Sequence, residues 1–174
     1  MTIENIISSD IHHKGSYFSF KTDRVLMSNG KEIVRDMIDH PGSVAIIPII
    51  DDDLILIRQY RYPAGKELLE IPAGTLEEGE SPQICAAREL TEETGYAASS
   101  WSKLLSCYMT PGYSSEKIHI YLAEGLTRVG ADPQDDEIIN IERHSFNEVL
   151  GMIEGNVIED SKTITGILAY LTRA

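Results

Sequence analysis

Between Ser81 and Gly95 the chain carries the punctuation of a helix at both ends, and inside that stretch stand three glutamates, Glu89, Glu92 and Glu93. Ser81 suits the N-cap, because its hydroxyl can accept from an N–H of the first turn. Pro82 fits the first helical position, and Gly95 suits the left-handed residue that follows a helix. A helix over Pro82–Thr94 is therefore predicted, with Ile84, Ala87 and Leu90 as its inward stripe and the glutamates opposite. Glu89 and Glu93 are one turn apart, so their carboxylates leave the same face. Like charges at that spacing cost roughly 0.2–0.5 kcal/mol per pair, and Glu92 adds to the repulsion. A hard divalent cation reverses the sign. Mg²⁺ takes carboxylate oxygens, keeps several waters and draws further ligands from substrate phosphates. Arg88, always protonated and able to bind two carboxylate oxygens at once, can hold Glu92 or Glu80 in place.

The remaining chain reads as strands with a few helices. Residues 4–38 read as strands, including Tyr17–Val25 and Lys31–Met37, and could form a small β appendage ahead of a break at Pro41-Gly42. Within it Tyr17, Phe18 and Phe20 read as strand packing ahead of the alternative, an aromatic that stacks on a nucleobase. The apolar runs Ser43–Ile50 and Leu54–Tyr60 flank Asp51-Asp52-Asp53 and predict a hairpin. Further strands are expected at Glu67–Ile71, Lys103–Met109, Lys117–Ala123 and about Glu137–Glu142, with closing helices at about Ser145–Glu154 and Ser161–Thr172. Without regular βαβ alternation, this pattern argues for an α+β fold with a mixed sheet between helices.

Composition narrows the function classes. Among 174 residues, 15 basic and 28 acidic side chains give a net charge of −13, which repels nucleic-acid backbones and anionic membrane surfaces. A phosphate substrate would need a cationic bridge. The N-terminal segment has neither the basic start nor the apolar core of a signal peptide, and no apolar run is long enough to span a bilayer. Cys85 and Cys107 cannot build a disulfide framework. A reduced, soluble, cytoplasmic protein is expected.

Gly74, five residues, Glu80, seven residues, then Arg88-Glu89-Leu90-Thr91-Glu92-Glu93-Thr94-Gly95-Tyr96 resembles the Nudix box, with every charged position and both glycines in register. Tyr96 stands where the family usually has an aliphatic residue. The resemblance implies a Nudix fold, an αβα sandwich, whose loop-helix-loop binds Mg²⁺ or Mn²⁺ for hydrolysis of a nucleoside diphosphate linked to another group. On that basis Glu89 and Glu93 are expected as principal metal ligands, the Ala73 carbonyl as a further ligand, and Glu92 as an assisting one. Glu80 and Arg88 are expected as supports.

The likeness extends from about Ser43 to the C-terminus and is similar to ADP-ribose pyrophosphatases and related nucleoside diphosphate sugar hydrolases. Arg58-Gln-Tyr-Arg-Tyr-Pro63, Glu70-Ile-Pro-Ala-Gly74, Pro111 within Tyr108–Glu116, and Glu159-Asp-Ser-Lys-Thr163 carry it. That branch implies a homodimer formed through residues 1–40, with residues 41–174 as the hydrolase domain and ADP-ribose as the first substrate. Arg61 is expected to grip a phosphate in two-point fashion. Arg58 is a weaker candidate, and Glu70 either accepts from a ribose hydroxyl or pairs with a neighbouring arginine. The resemblance implies a loop carboxylate as general base. Glu137 is preferred over Asp135 and Asp136, with Glu116 as another candidate in the loop after Pro111. Rival readings are a hydrolase of other sugar nucleotides such as GDP-mannose or UDP-glucose, a housecleaning hydrolase of nucleoside triphosphates or dinucleotides, and a non-catalytic ADP-ribose sensor.

Overall fold

The computed structural model describes residues 4–130 and 138–173. Two compact units are present, one built from Met1–Gly42 and Tyr108–Lys117, the other from Ser43–Cys107 and Ile118–Ala174.

The first unit is a three-stranded antiparallel sheet, β1 (Glu4–Lys14), β2 (Ser19–Met27) and β3 (Glu32–Asp39), in that order. Gly30 turns β2 into β3 at a φ of 81°, a conformation that favours glycine. The segment from Tyr108 to Lys117 is stitched to the end of β3: Ile38 N–H donates to Tyr113 O at 2.8 Å and Ser115 N–H to Ile38 O at 3.0 Å. Every residue of β1 is exposed. Tyr17, Phe18 and Phe20, expected to serve packing, are exposed as well. Among the described residues no helix belongs to this unit, so within it the sheet has no second layer to bury aromatic rings against.

The second unit holds β4 (Ser43–Ile50), β5 (Asp53–Arg61), β6 (Lys66–Glu70), β7 (Ala73–Thr75), β8 (Tyr96–Tyr108), β9 (Lys117–Arg128) and β10 (Ile139–Ser145). Its helices are α1 (Pro82–Thr94), α2 (Phe146–Glu154) and α3 (Ser161–Leu171). The expected hairpin turns on Asp51 and Asp52, at φ 49° and 66°, the two left-handed residues whose twist matches a two-residue connection. The sheet runs β10-β5-β4-β9-β8, with β6 on β5 and β7 on β4. The β4–β9 pair is parallel while β5 meets its neighbours antiparallel, so the sheet is mixed. β8 begins at Tyr96, well before the expected Lys103. Its first half, Ala-Ala-Ser-Ser, lacks the apolar alternation by which a strand is read.

Strand β4 is central, and Val44, Ala45, Ile46 and Ile47 have no solvent exposure, as a strand covered on both faces requires. Alternation explains how. Val44 and Ile46 pack with Cys85, Ala86 and Leu90 of α1. Ile47, on the other face, lies beside Gly166 of α3, where an added Cβ would come within 3.0 Å of the Ile47 Cδ1. The sheet thus lies between α1 and α3, the expected αβα sandwich.

Helix α1 forms over the predicted residues, but its inward face differs. Ile84 and Ala87 are exposed, and Cys85, Ala86, Glu89, Leu90, Glu93 and Thr94 are buried. A stripe chosen by apolar identity at intervals of three drifts off the 3.6-residue period. The true inward face follows the period and carries two glutamates.

Candidate active site

Helix α1 is fixed at both ends as its sequence demands. Ser81 Oγ accepts from Ile84 N–H, and Gly95, at φ 70°, donates to Thr91 O. These caps set the rotation that turns Glu89 and Glu93 inward, leaving them 8% and 3% exposed. Buried carboxylates are expensive unless paired, and each has a partner. Glu93 Oε2 accepts from Ala73 N–H at 2.9 Å. Glu89 Oε1 accepts from Arg88 Nη1 at 2.8 Å. Gly74 completes the seat, because a Cβ there would overlap the Glu89 carboxylate.

Arg88 is the hub. Its Nε and Nη2 hold both oxygens of Glu80 at 3.0 Å each, and its Nη1 bridges to Glu92 Oε2 at 3.0 Å as well as to Glu89. Of the two expected partners, Glu92 and Glu80, the guanidinium holds both, and Glu89 in addition. Its hydrogen bonds hold the Glu80 carboxyl down at about 2. Cys85 lies beneath: Arg88 Nη2 reaches its Sγ at 3.3 Å, and the thiol donates to Thr75 O at 3.5 Å. Burial, reinforced by Glu80, pushes that thiol well above its ordinary range.

With oxygens turned toward Arg88 and Ala73, no three His, Cys, Asp or Glu side chains form a ready cation cage among the described residues. A carboxylate has about four lone-pair positions, however, and a hydrogen bond uses one. Hard oxygen donors one turn apart, with a glycine cleared beside them, fit a divalent cation.

A second cluster adjoins on β5 and β6. Arg61 donates from Nε and Nη2 to the two oxygens of Glu70 at 2.8 and 2.7 Å. Glu70 is 1% exposed. Burial pushes its carboxyl upward, and Arg61 together with Lys162 outweighs that, leaving it below the usual carboxylate range. Glu70 hydrogen bonding raises Arg61 first, and the nearby charges of Glu93 and Asp160 add to it, so the two clusters sense each other electrostatically. Of the two readings of Glu70, the arginine partner is the one present.

Arg58 lies elsewhere. Residues 58 and 61 of a regular strand face opposite sides, and Arg58 Nε donates to Glu142 of β10 at 2.5 Å. Glu116 belongs to the first unit, where its N–H donates to Ser114 Oγ at 3.1 Å. Glu137, with Asp135 and Asp136, lies outside the described residues. Lys162 and Thr163, within the Glu159–Thr163 segment, reach Glu70 and Ile71 through contacts that no local sequence signal announces. Gln59, two residues before Arg61 and so on the same strand face, is buried, and its Nε2 has no hydrogen-bond partner among the described residues.

Fold and site together define a class of protein, in which a mixed sheet between helices presents a glycine-flanked loop and helix whose inward carboxylates gather about one arginine. The NUDIX domain model matches residues 39–165, and the chain belongs to the Nudix family. It is 36% identical over 167 residues to the methanol dehydrogenase activator of Bacillus methanolicus, covering 94% of this chain and 90% of that one. The ADP-ribose pyrophosphatase of Bacillus subtilis (strain 168) is 34% identical over the same coverage. A crystal structure of an ADP compounds hydrolase superposes with a TM-score of 0.85 at 25% identity, covering 97% of this chain and 92% of that one.

Proposed function

We propose that this protein hydrolyses the pyrophosphate bond of nucleoside diphosphate sugars with Mg²⁺, which Mn²⁺ can replace, and that ADP-ribose, split to AMP and ribose 5-phosphate, is its first substrate. The observation that carries this reading is the pair of inward carboxylates, Glu89 and Glu93, seated against Gly74 and Ala73 beside the Arg61–Glu70 pair. The family membership and the ADP-ribose pyrophosphatase relative support the substrate class.

Glu89 and Glu93, with Glu92 and the Ala73 carbonyl, would hold the cation. When bound it supplies charge neutralisation at phosphate oxygens and acidifies water. Arg61 grips the diphosphate, and Glu70 fixes the guanidinium that does so. Arg88 and Glu80 keep the glutamates in register, since misplacement by about 1 Å at a reacting centre can cost on the order of 10²-fold in rate. A loop carboxylate takes the proton of the attacking water, Glu137 ahead of Asp135, Asp136 and Glu116. Arg58, committed to Glu142, has the lesser claim on substrate.

The exposed β1 strand and the aromatic residues after it support a homodimer formed through the first unit. Among the described residues no helix is long and apolar enough to cross a membrane, and a cytoplasmic setting suits the two free thiols.

The deciding experiment incubates the protein and Mg²⁺ with ADP-ribose, GDP-mannose, UDP-glucose, a dinucleoside polyphosphate and dGTP, and identifies the products. AMP with ribose 5-phosphate is expected. Turnover of dGTP alone overturns the reading.

A further inference from the structure

The first turn of α3 is tied to the segment between β5 and β7 at three successive points. Lys66 pairs with Glu159, Lys162 Nζ bonds Glu70 Oε2, and Ile71 N–H donates to Thr163 Oγ1 at 2.9 Å. Asp160 organises the turn: its Oδ2 accepts from Thr163 N–H at 3.0 Å and Thr163 Oγ1 at 2.5 Å, and pairs with Lys162 Nζ at 3.0 Å. Thr163 has no exposure, and Gly166 seats the helix closely against Ile47 and Ile71. The turn cannot drift away from Glu70 without unpacking α3.

Lys162 is a costly residue in this place. A cation in the first turn of a helix opposes the helix dipole, and this side chain is only 12% exposed. Its charge is used at Glu70, on the same oxygen that Arg61 Nη2 occupies. Consider the charges in contact: Arg61 and Lys162 are positive, Glu70 and Asp160 negative, and the set is neutral. Without Lys162 the same set would be net negative, and the single guanidinium would be spent on Glu70. An approaching diphosphate would then meet a repulsive field. With Lys162 present, Glu70 is neutralised from the side of α3. The Arg61 Nη1 edge, which donates to no group among the described residues, keeps its charge for an anion.

We infer that Lys162 is a positioning residue for the substrate diphosphate: by sharing Glu70 with Arg61, it leaves the arginine both oriented and electrostatically available. This rests on the reading of Arg61 as a phosphate-gripping residue.

The test measures binding apart from turnover. In EDTA, wild-type protein, K162Q and K162R are titrated calorimetrically with ADP-ribose and with inorganic pyrophosphate. Lys162→Gln is expected to weaken both about tenfold, the low end of measured coupling between close charges, and the deficit should shrink as salt is raised. Lys162→Arg should bind within about twofold of wild type. With Mg²⁺, K162Q should raise KM for ADP-ribose by a similar factor while kcat stays within about threefold, because uniform binding has been lost. K162Q that binds both ligands as tightly as wild type at every salt concentration overturns the inference. So does wild-type protein that binds neither ligand in EDTA. Wild-type protein that binds ADP-ribose in EDTA, with K162Q deficient, but turns over no nucleotide sugar with Mg²⁺ supports this inference and overturns the hydrolase reading. If K162Q does not fold by circular dichroism, K162R against wild type carries the test, and a binding loss beyond about fivefold there overturns it.

Discussion

The backbone N–H of Ala73 donates to Glu93 Oε2 at 2.9 Å, joining the first residue of β7 to the last turn of α1. One residue is nominated for its carbonyl and the other for its carboxylate, so this bond sets their separation before any cation arrives.

Replacing Glu93 with Gln keeps an oxygen that can accept from Ala73 while removing the negative charge. Turnover of ADP-ribose with Mg²⁺ is expected to fall by on the order of 10²-fold or more, with an unchanged circular dichroism spectrum. Activity within threefold of wild type would sink the assignment of Glu93 as a ligand.

Arg88→Met leaves Glu80, Glu89 and Glu92 without their shared cation. Lost charge-assisted hydrogen bonds of this kind cost about 2 kcal/mol, or about 5 °C in melting temperature for a chain of this size. Millimolar Mg²⁺ should recover part of that loss, because it neutralises the same carboxylates. Melting of R88M that ignores Mg²⁺ would show that the glutamates do not converge on a cation.

Arg58 first, and then His144, hold the Glu142 carboxyl below its ordinary value of 4.5. A lowered folded-state value stabilises the fold above the unfolded value, and that contribution disappears as pH falls through the folded one. Denaturant midpoints of wild type and Glu142→Gln, compared from about pH 6 to about pH 3, should therefore differ at the upper end and converge at the lower. A pH-independent gap contradicts the pairing.

For the first unit, light scattering should give twice the chain mass of 19.4 kDa. Placing Asp at both Ile6 and Ile11, each exposed beyond 60% on β1, should raise the dimer dissociation constant at least about tenfold. A double variant that dimerises as tightly as wild type removes β1 from the interface.

The legible parts of this molecule are those governed by local rules. Ser81, Pro82 and Gly95 announce the ends of α1, and the acidic pair at Asp51 and Asp52 announces the hairpin turn, because caps and tight turns depend on a few adjacent residues. The inward face of α1 was not legible from apolar identity, since Glu89 and Glu93 occupy positions that a helix serving packing alone would fill with leucine. Nor was the fate of the arginines. Arg58 and Arg61 are equivalent in composition, and only strand alternation combined with the registers Ile57–Glu70 and Leu56–Glu142 sends them to different carboxylates. Lys162 lies 92 residues from Glu70, and no local pattern reports such a contact.

Cys85 sits in the floor of this arrangement, with no exposure and its thiol held protonated by burial. A thiol reagent reaches it only when α1 lifts from the sheet. Cys107 is only partly buried, although that burial raises its thiol too, and it is expected to react first and to show that the reagent is active. The slow phase of alkylation thus times the opening of the loop and helix, and its lengthening by a cation or a nucleotide would report occupancy without any product being formed.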